Sequence, residues 1–66
     1  MPPRVHNQVY ELRQKSGITQ QELADAVGVT RQTIIAIEKG NYTPSVLLAL
    51  KIVEFFKQPM DKVFYL

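Results

Sequence analysis

Read by the spacing of its apolar positions, this chain of 66 residues is a string of short helices. Val5, Val9, Leu12 and Ser16 fall on one face at about 100° per residue, which predicts a first helix over residues 5–16. Gly17 then stands where helices commonly stop in the left-handed conformation. Thr19-Gln20-Gln21-Glu22 opens the second helix as a capping box, in which the Thr19 hydroxyl and the Glu22 carboxylate each take a free backbone N–H of the first turn. Leu23, Ala24 and Val27 supply its apolar side, and Gly28 ends it. Thr30 is a good N-cap for a third helix. Ile34 and Ile37 are its inward pair, and Gly40 ends it. The fourth helix takes Thr43 as its cap and Pro44 as its first residue, where the missing N–H costs nothing. It runs to Phe56 or Lys57. Pro59 opens a last short turn with Asp61 near its positive end. The apolar tail Val63-Phe64-Tyr65-Leu66 is β-prone and is expected to pair with Arg4-Val5-His6 as a two-stranded ribbon. Elsewhere period-two alternation is scarce, so the fold class is mainly α.

Composition narrows what such a chain does. An apolar fraction of 45% with 21% charge is ordinary for a globular protein and argues against disorder. The length allows one domain over residues 1–66. A chain this short buries only about 60% of its unfolded surface, so it needs a good core, an oligomer interface or both. With no cysteine and one histidine, His6, disulfides, thiolate metal sites and multi-histidine metal sites are excluded. No cofactor is expected. A lone histidine near a terminus is read as exposed. No apolar run approaches the roughly 18 residues of a membrane span, and the first residues carry no apolar export core, so a cytoplasmic protein is expected. The net charge of +2 and a pI near 9.2 hint weakly at an anionic partner.

The second and third helices are joined by a short turn containing glycine, which reads as a helix-turn-helix over about residues 19–39. With Ile34 facing inward, Gln32, Ala36 and Lys39 point outward on the third helix. Ile35 and Arg31 lie on one flank and Thr33 on the other. That face suits a major groove. Gln32 can pair with adenine N6 and N7, and Arg31 with guanine O6 and N7 or with a phosphate. Ile35, Ala36 and the Thr33 methyl can touch thymine methyls. Taken alone, Arg31 and Gln32 fit solvated surface residues as well.

The segment from Thr19 to Ile34, followed by Ile37-Glu38-Lys39-Gly40, resembles the helix-turn-helix of the Cro/C1 (XRE) transcriptional regulators. The resemblance continues through Pro44-Ser45 and Ala49-Leu50-Lys51-Ile52 to Asp61-Lys62-Val63-Phe64 and spans Val9 to Phe64. It implies a five-helix, lambda-repressor-like DNA-binding fold. It implies base contacts at Arg31, Gln32, Thr33, Ile35 and Ala36, although family members with a long polar side chain at the position of Ala36 make more of them. It places Gln20 on a DNA phosphate, at a helix N-terminus that favours anions. The loop Lys39-Gly40-Asn41-Tyr42-Thr43 follows the third helix. Its backbone N–H groups and the side chains of Lys39, Asn41, Tyr42 and Thr43 are candidates for the next phosphates; a plain connector is compatible with the same residues. Arg13 and Glu38 lie near the buried edges of their helices, and the resemblance implies a partly buried ion pair between them. Glu38 as a catalytic acid lacks any nucleophile, second carboxylate or metal set beside it, so no enzyme is expected.

The fourth helix carries more apolar residues than one core face needs. Val46, Ala49, Leu50, Val53 and Phe56 are expected to face inward, with Leu48 and Phe55 on the opposite side. A helix apolar on two sides is buried on two sides or binds something. Leu48, Phe55, Phe64, Tyr65 and Leu66 are therefore expected to form a twofold homodimer interface. Such a dimer would bind an inverted-repeat DNA operator as a repressor, with no small-molecule ligand. The alternatives are a DNA-binding antitoxin, whose toxin would cover the same apolar face, and a protein-interaction module on this fold.

Overall fold

The computed structural model describes residues 4–66. Five helices and two short strands follow one another as β1 (His6–Asn7), α1 (Val9–Ser16), α2 (Gln20–Val27), α3 (Arg31–Glu38), α4 (Val46–Phe56), α5 (Met60–Val63) and β2 (Phe64–Tyr65). The strands pair antiparallel, His6 opposite Tyr65 and Asn7 opposite Phe64. The terminal ribbon is thus present, but shifted from the expected Arg4-Val5-His6. The pairing also displaces the start of the first helix from Val5 to Val9. The Gln8 N–H donates to the Val63 carbonyl at 2.9 Å, and the Val9 N–H donates to Asn7 Oδ1 at 3.1 Å. Residues 6–8 are committed to the ribbon and to this turn, so they cannot continue a helix backwards.

Local chemistry sets the next boundaries. The Thr19–Glu22 capping box is formed in both directions. Thr30 caps α3 by accepting the Thr33 N–H. At the far end of α3 the Gly40 N–H donates to the Ile37 carbonyl and the Asn41 N–H to the Ala36 carbonyl. This is the paired closure that needs a left-handed residue, and Gly40 supplies it with φ of 79°. At α4 the cap is Ser45, not Thr43: Ser45 Oγ accepts the Leu48 N–H at 3.1 Å. Pro44 therefore precedes the helix instead of starting it.

The core is built from Val9, Leu23, Ala24, Val27, Ile34, Ile37, Leu48, Ile52, Val53 and Val63, so α1 to α5 all contribute. Leu12, Ile18, Val29, Phe56, Met60 and Phe64 pack around it. The inward stripe of α4 is Leu48, Ala49, Ile52 and Val53, while Val46, Leu47 and Leu50 are 75%, 64% and 50% exposed. This corrects the expected stripe, which is turned by roughly 70° about the helix axis. Leu48, expected at a dimer interface, is a core residue, and Phe64 is half-buried against the core. Phe55, Tyr65 and Leu66 are exposed.

Candidate nucleic-acid interface

Helix α3 presents Arg31 and Gln32 as exposed residues at its first turn; Thr33, Ile35 and Ala36 are half-buried. Part of Ile35 is thus covered by the protein, and its exposure is smaller than its helical position suggested. The Thr33 hydroxyl lies 3.2 Å from that of Thr30, which engages it in the cap and leaves its methyl for contact.

The opposite end of α3 is tied down by a buried polar cluster. Arg13 Nε donates to Glu38 Oε2 at 2.7 Å and Arg13 Nη2 to Oε1 at 3.2 Å. Arg13 Nη1 donates to the Ile18 carbonyl at 3.0 Å. Only 9% of the Arg13 side chain and 5% of that of Glu38 are exposed, so the pair is desolvated, and the two-pronged geometry adds direction as well as strength. Gln20 Nε2 donates to Glu38 Oε1 at 3.1 Å. The Tyr10 ring lies 5.4 Å from the guanidinium and stacks on it. One carboxylate at the end of α3 thus joins α1 and α2, and Arg13 in turn holds the α1–α2 turn through the Ile18 carbonyl. The hydrogen bond to Glu38 raises the pKa of Arg13 above its ordinary value, against an opposing effect of burial. A raised arginine keeps its stabilising charge at every pH below its unfolded value, so this group adds no pH dependence near neutrality.

The candidate phosphate contacts divide into two groups. The Gln20 side chain spends its N–H on Glu38, while the backbone N–H groups of Gln20 and Gln21, at the first two positions of α2, have no partner within the helix. Around them lies a shallow cleft of mixed polar and apolar lining, in which Ile18 stands among Arg13, Thr19, Gln20, Gln21 and Arg31. The cleft brings the start of α2 beside the first residue of α3. In the loop after α3, the N–H groups of Lys39, Gly40 and Asn41 donate to carbonyls of α3. They close the helix and are not available to a phosphate, contrary to the expectation for the loop backbone. The side chains of Lys39, Asn41, Tyr42 and Thr43 are exposed.

Two further residues escaped the sequence reading. Arg4 Nη2 donates to the Gly40 carbonyl at 2.9 Å, and Asn7 Nδ2 donates to the Ile37 carbonyl at 3.0 Å. The Ile37 carbonyl in the last turn of α3 also accepts the Gly40 N–H, and the Gly40 carbonyl lies just beyond the helix. An asparagine just before a helix is a recognisable cap signal, but nothing local announces a bond to a carbonyl thirty residues away.

The helix-turn-helix family HTH_3 matches residues 9–63. The chain belongs to the Cro/C1-type helix-turn-helix transcriptional regulators. An uncharacterized regulator of this type from Bacillus subtilis, YgzD, is 57% identical over 60 residues, which cover 91% of each chain. One from Methanothermobacter thermautotrophicus is 49% identical, over 88% of this chain and 86% of its own. The transcriptional repressor RstR of a cryptic CTXphi phage of Vibrio cholerae is 30% identical over 86% of this chain but only 51% of its own. Among solved structures, the restriction-modification controller protein C.AhdI of Aeromonas hydrophila superposes with a TM-score of 0.77 at 25% identity, covering 83% of both chains. This is a family of DNA-binding regulators and not of enzymes. No helix among the described residues is long and apolar enough to cross a membrane.

Proposed function

We propose that the chain is a cytoplasmic repressor that occupies an inverted-repeat operator as a homodimer. The observation that carries this reading is the pairing of opposites on α3: Arg31 and Gln32 are exposed at its start, while Glu38 is gripped from two elements, α1 and α2, at its end. A rigid helix with adaptable polar tips is what base reading requires. Arg31 takes guanine O6 and N7 and Gln32 takes adenine N6 and N7, with thymine methyls against Thr33, Ile35 and Ala36. The start of α2 at Gln20 and the exposed side chains of Lys39, Asn41, Tyr42 and Thr43 bracket α3 and take the phosphates that fix its register. The finer likeness, to the small single-domain repressor of a cytolysin operon, rests on length and fold alone and assigns no operon.

The dimer surface is drawn on the exposed side of α4. Val5, Pro44, Val46, Ala49, Met60 and Phe64 line a shallow, almost wholly apolar groove, and Leu47 and Leu50 are exposed on the same helix. Phe64, Tyr65 and Leu66 carry the surface to the chain's end; Phe55 is exposed on another side of α4, beside Asp25 and Lys51, and Leu48 is in the core. That apolar side also accommodates a toxin, which keeps the antitoxin reading alive. Co-purification with a second small protein would favour it.

Selection of bound sequences from random duplex DNA, read with the mass of the complex, tests the proposal. A palindromic consensus bound by two chains is expected. Arg31→Ala and Gln32→Ala should each relax preference at one position, at about 1–3 kcal/mol per contact. Duplex binding with no sequence preference would remove the repressor reading.

A further inference from the structure

The side chain of Asn7 performs two tasks with opposite polarity. Its Oδ1 accepts the Val9 N–H at the first residue of α1; its Nδ2 donates to the Ile37 carbonyl in the last turn of α3, as a second donor beside the Gly40 N–H. Its backbone lies in the terminal ribbon, opposite Phe64 of β2. Only a carboxamide carries an acceptor and a donor that reach both partners at once. We propose that Asn7 is a positioning residue for base reading, one that fixes the tilt of α3 against the ribbon made by the two ends of the chain. The proposal rests on the function assigned above.

The geometry explains why the far end of α3 should feel this bond. A helix of eight residues is about 12 Å long. A tilt of about 10° at its C-terminal end displaces the other end by about 2 Å. A recognition constellation tolerates about 0.5 Å, so Arg31 and Gln32 depend on a hold that lies a full helix away. Glu38 and Asn7 grip adjacent residues of the last turn from different sides, one from α1 and α2, the other from the ribbon. Arg4, bound to the Gly40 carbonyl, extends the ribbon's hold by one more step. The ribbon also contains Phe64 and Tyr65, which the proposed dimer surface includes. The same short sheet therefore connects the partner subunit to the reading helix.

Two substitutions separate positioning from folding. Asn7→Asp keeps the size and the acceptor for Val9 but turns an oxygen toward the Ile37 carbonyl at the negative end of α3. Asn7→Ser keeps a short acceptor for Val9 and is too short to reach Ile37. Ser45→Ala removes a cap on α4 and serves as a control for lost stability alone. Affinity for the selected operator and for a scrambled duplex is measured with each variant, alongside amide exchange by NMR. Both Asn7 variants should lose about tenfold in operator affinity, the loss of one base contact, with scrambled binding and its salt slope unchanged. The amides of Lys39, Gly40 and Asn41 should exchange faster, and that of Val9 should be unchanged in Asn7→Ser. Ser45→Ala should bind both duplexes as the wild type does. The proposal is overturned if Asn7→Ser reads the operator as well as the wild type, or loses both duplexes in parallel. If the wild type discriminates between no duplexes, the repressor reading fails by itself, and exchange at residues 39–41 still decides whether Asn7 holds α3.

Discussion

Glu38 concentrates more structure than any other side chain of the candidate interface, because its carboxylate accepts from Arg13 and Gln20 at once. A buried ion pair adds little net stability over an apolar pair, but a lone buried charge is costly. Glu38→Ala should therefore destabilise the fold by about 3–5 kcal/mol, enough to unfold much of so small a protein, as should Arg13→Ala. The double change Arg13→Met with Glu38→Leu should be markedly better tolerated than either. Urea unfolding followed by circular dichroism measures all three, and a double variant no more stable than the single ones would contradict this account. Lys39 is a contrast: it is exposed, and we propose it only as a phosphate contact. Lys39→Ala should weaken every duplex alike and lower the slope of log affinity against log salt by about 1, whereas Gln32→Ala should leave that slope unchanged. In the sequence, residue type and helical spacing put Arg31, Gln32 and Lys39 on the outward face, but it was the resemblance to the Cro/C1 helix-turn-helix that favoured DNA contacts over plain solvated residues. Asn7 and Arg4 were not visible there, because their partners are backbone carbonyls far along the chain and leave no periodic trace.

At the scale of elements, the boundaries that depend on neighbouring residues were readable and those that depend on the rest of the fold were not. The Thr19 and Thr30 caps and the glycine stops act within four residues of themselves, so sequence order alone exposes them. Two choices were ambiguous locally. Thr43 and Ser45 are both cap formers, and Pro44 suits the first helical position; the bond from the Leu48 N–H to Ser45 decides it. Helix α4 is apolar almost all round, so periodicity does not say which side is the core; packing against the preceding helices turns Leu48 in and Leu50 out. The same helix ends in a way that invites improvement. Lys57 caps it at φ of 56°, a conformation that costs a side-chain-bearing residue about 1–2 kcal/mol relative to its right-handed form. Lys57→Gly should raise stability by up to about 1 kcal/mol, since glycine relieves that strain. An increase in the thermal midpoint with unchanged DNA affinity is the expected result, and a fall in the midpoint would show that the Lys57 side chain contributes packing.

At the scale of the whole molecule, one small chain must gain enough contact with DNA to be specific. A single α3 reaches only a few base pairs. Two copies related by a twofold axis place their recognition helices about 34 Å apart, one turn of the duplex, and read inverted half-sites about 10–11 base pairs apart, centre to centre. Doubling the chain also doubles the phosphates neutralised. With about 6–10 per dimer, affinity should fall by about 10³–10⁵ between 50 and 200 mM salt. In the proposed dimer both properties depend on the exposed apolar side of α4. Val46 and Leu50 are one helical turn apart and 75% and 50% exposed, so charges introduced there do not disturb the core of a single chain. The pair Val46→Glu with Leu50→Glu should leave the helical content intact, reduce the mass in solution to the 7.6 kDa of one chain, and roughly halve the salt slope as operator binding is lost. Sedimentation together with a salt titration would show it. A wild-type chain that sediments at the single-chain mass when free, yet binds a full palindrome as two copies, would place the pairing on the DNA rather than on α4. The two glutamates would then leave the slope where it was.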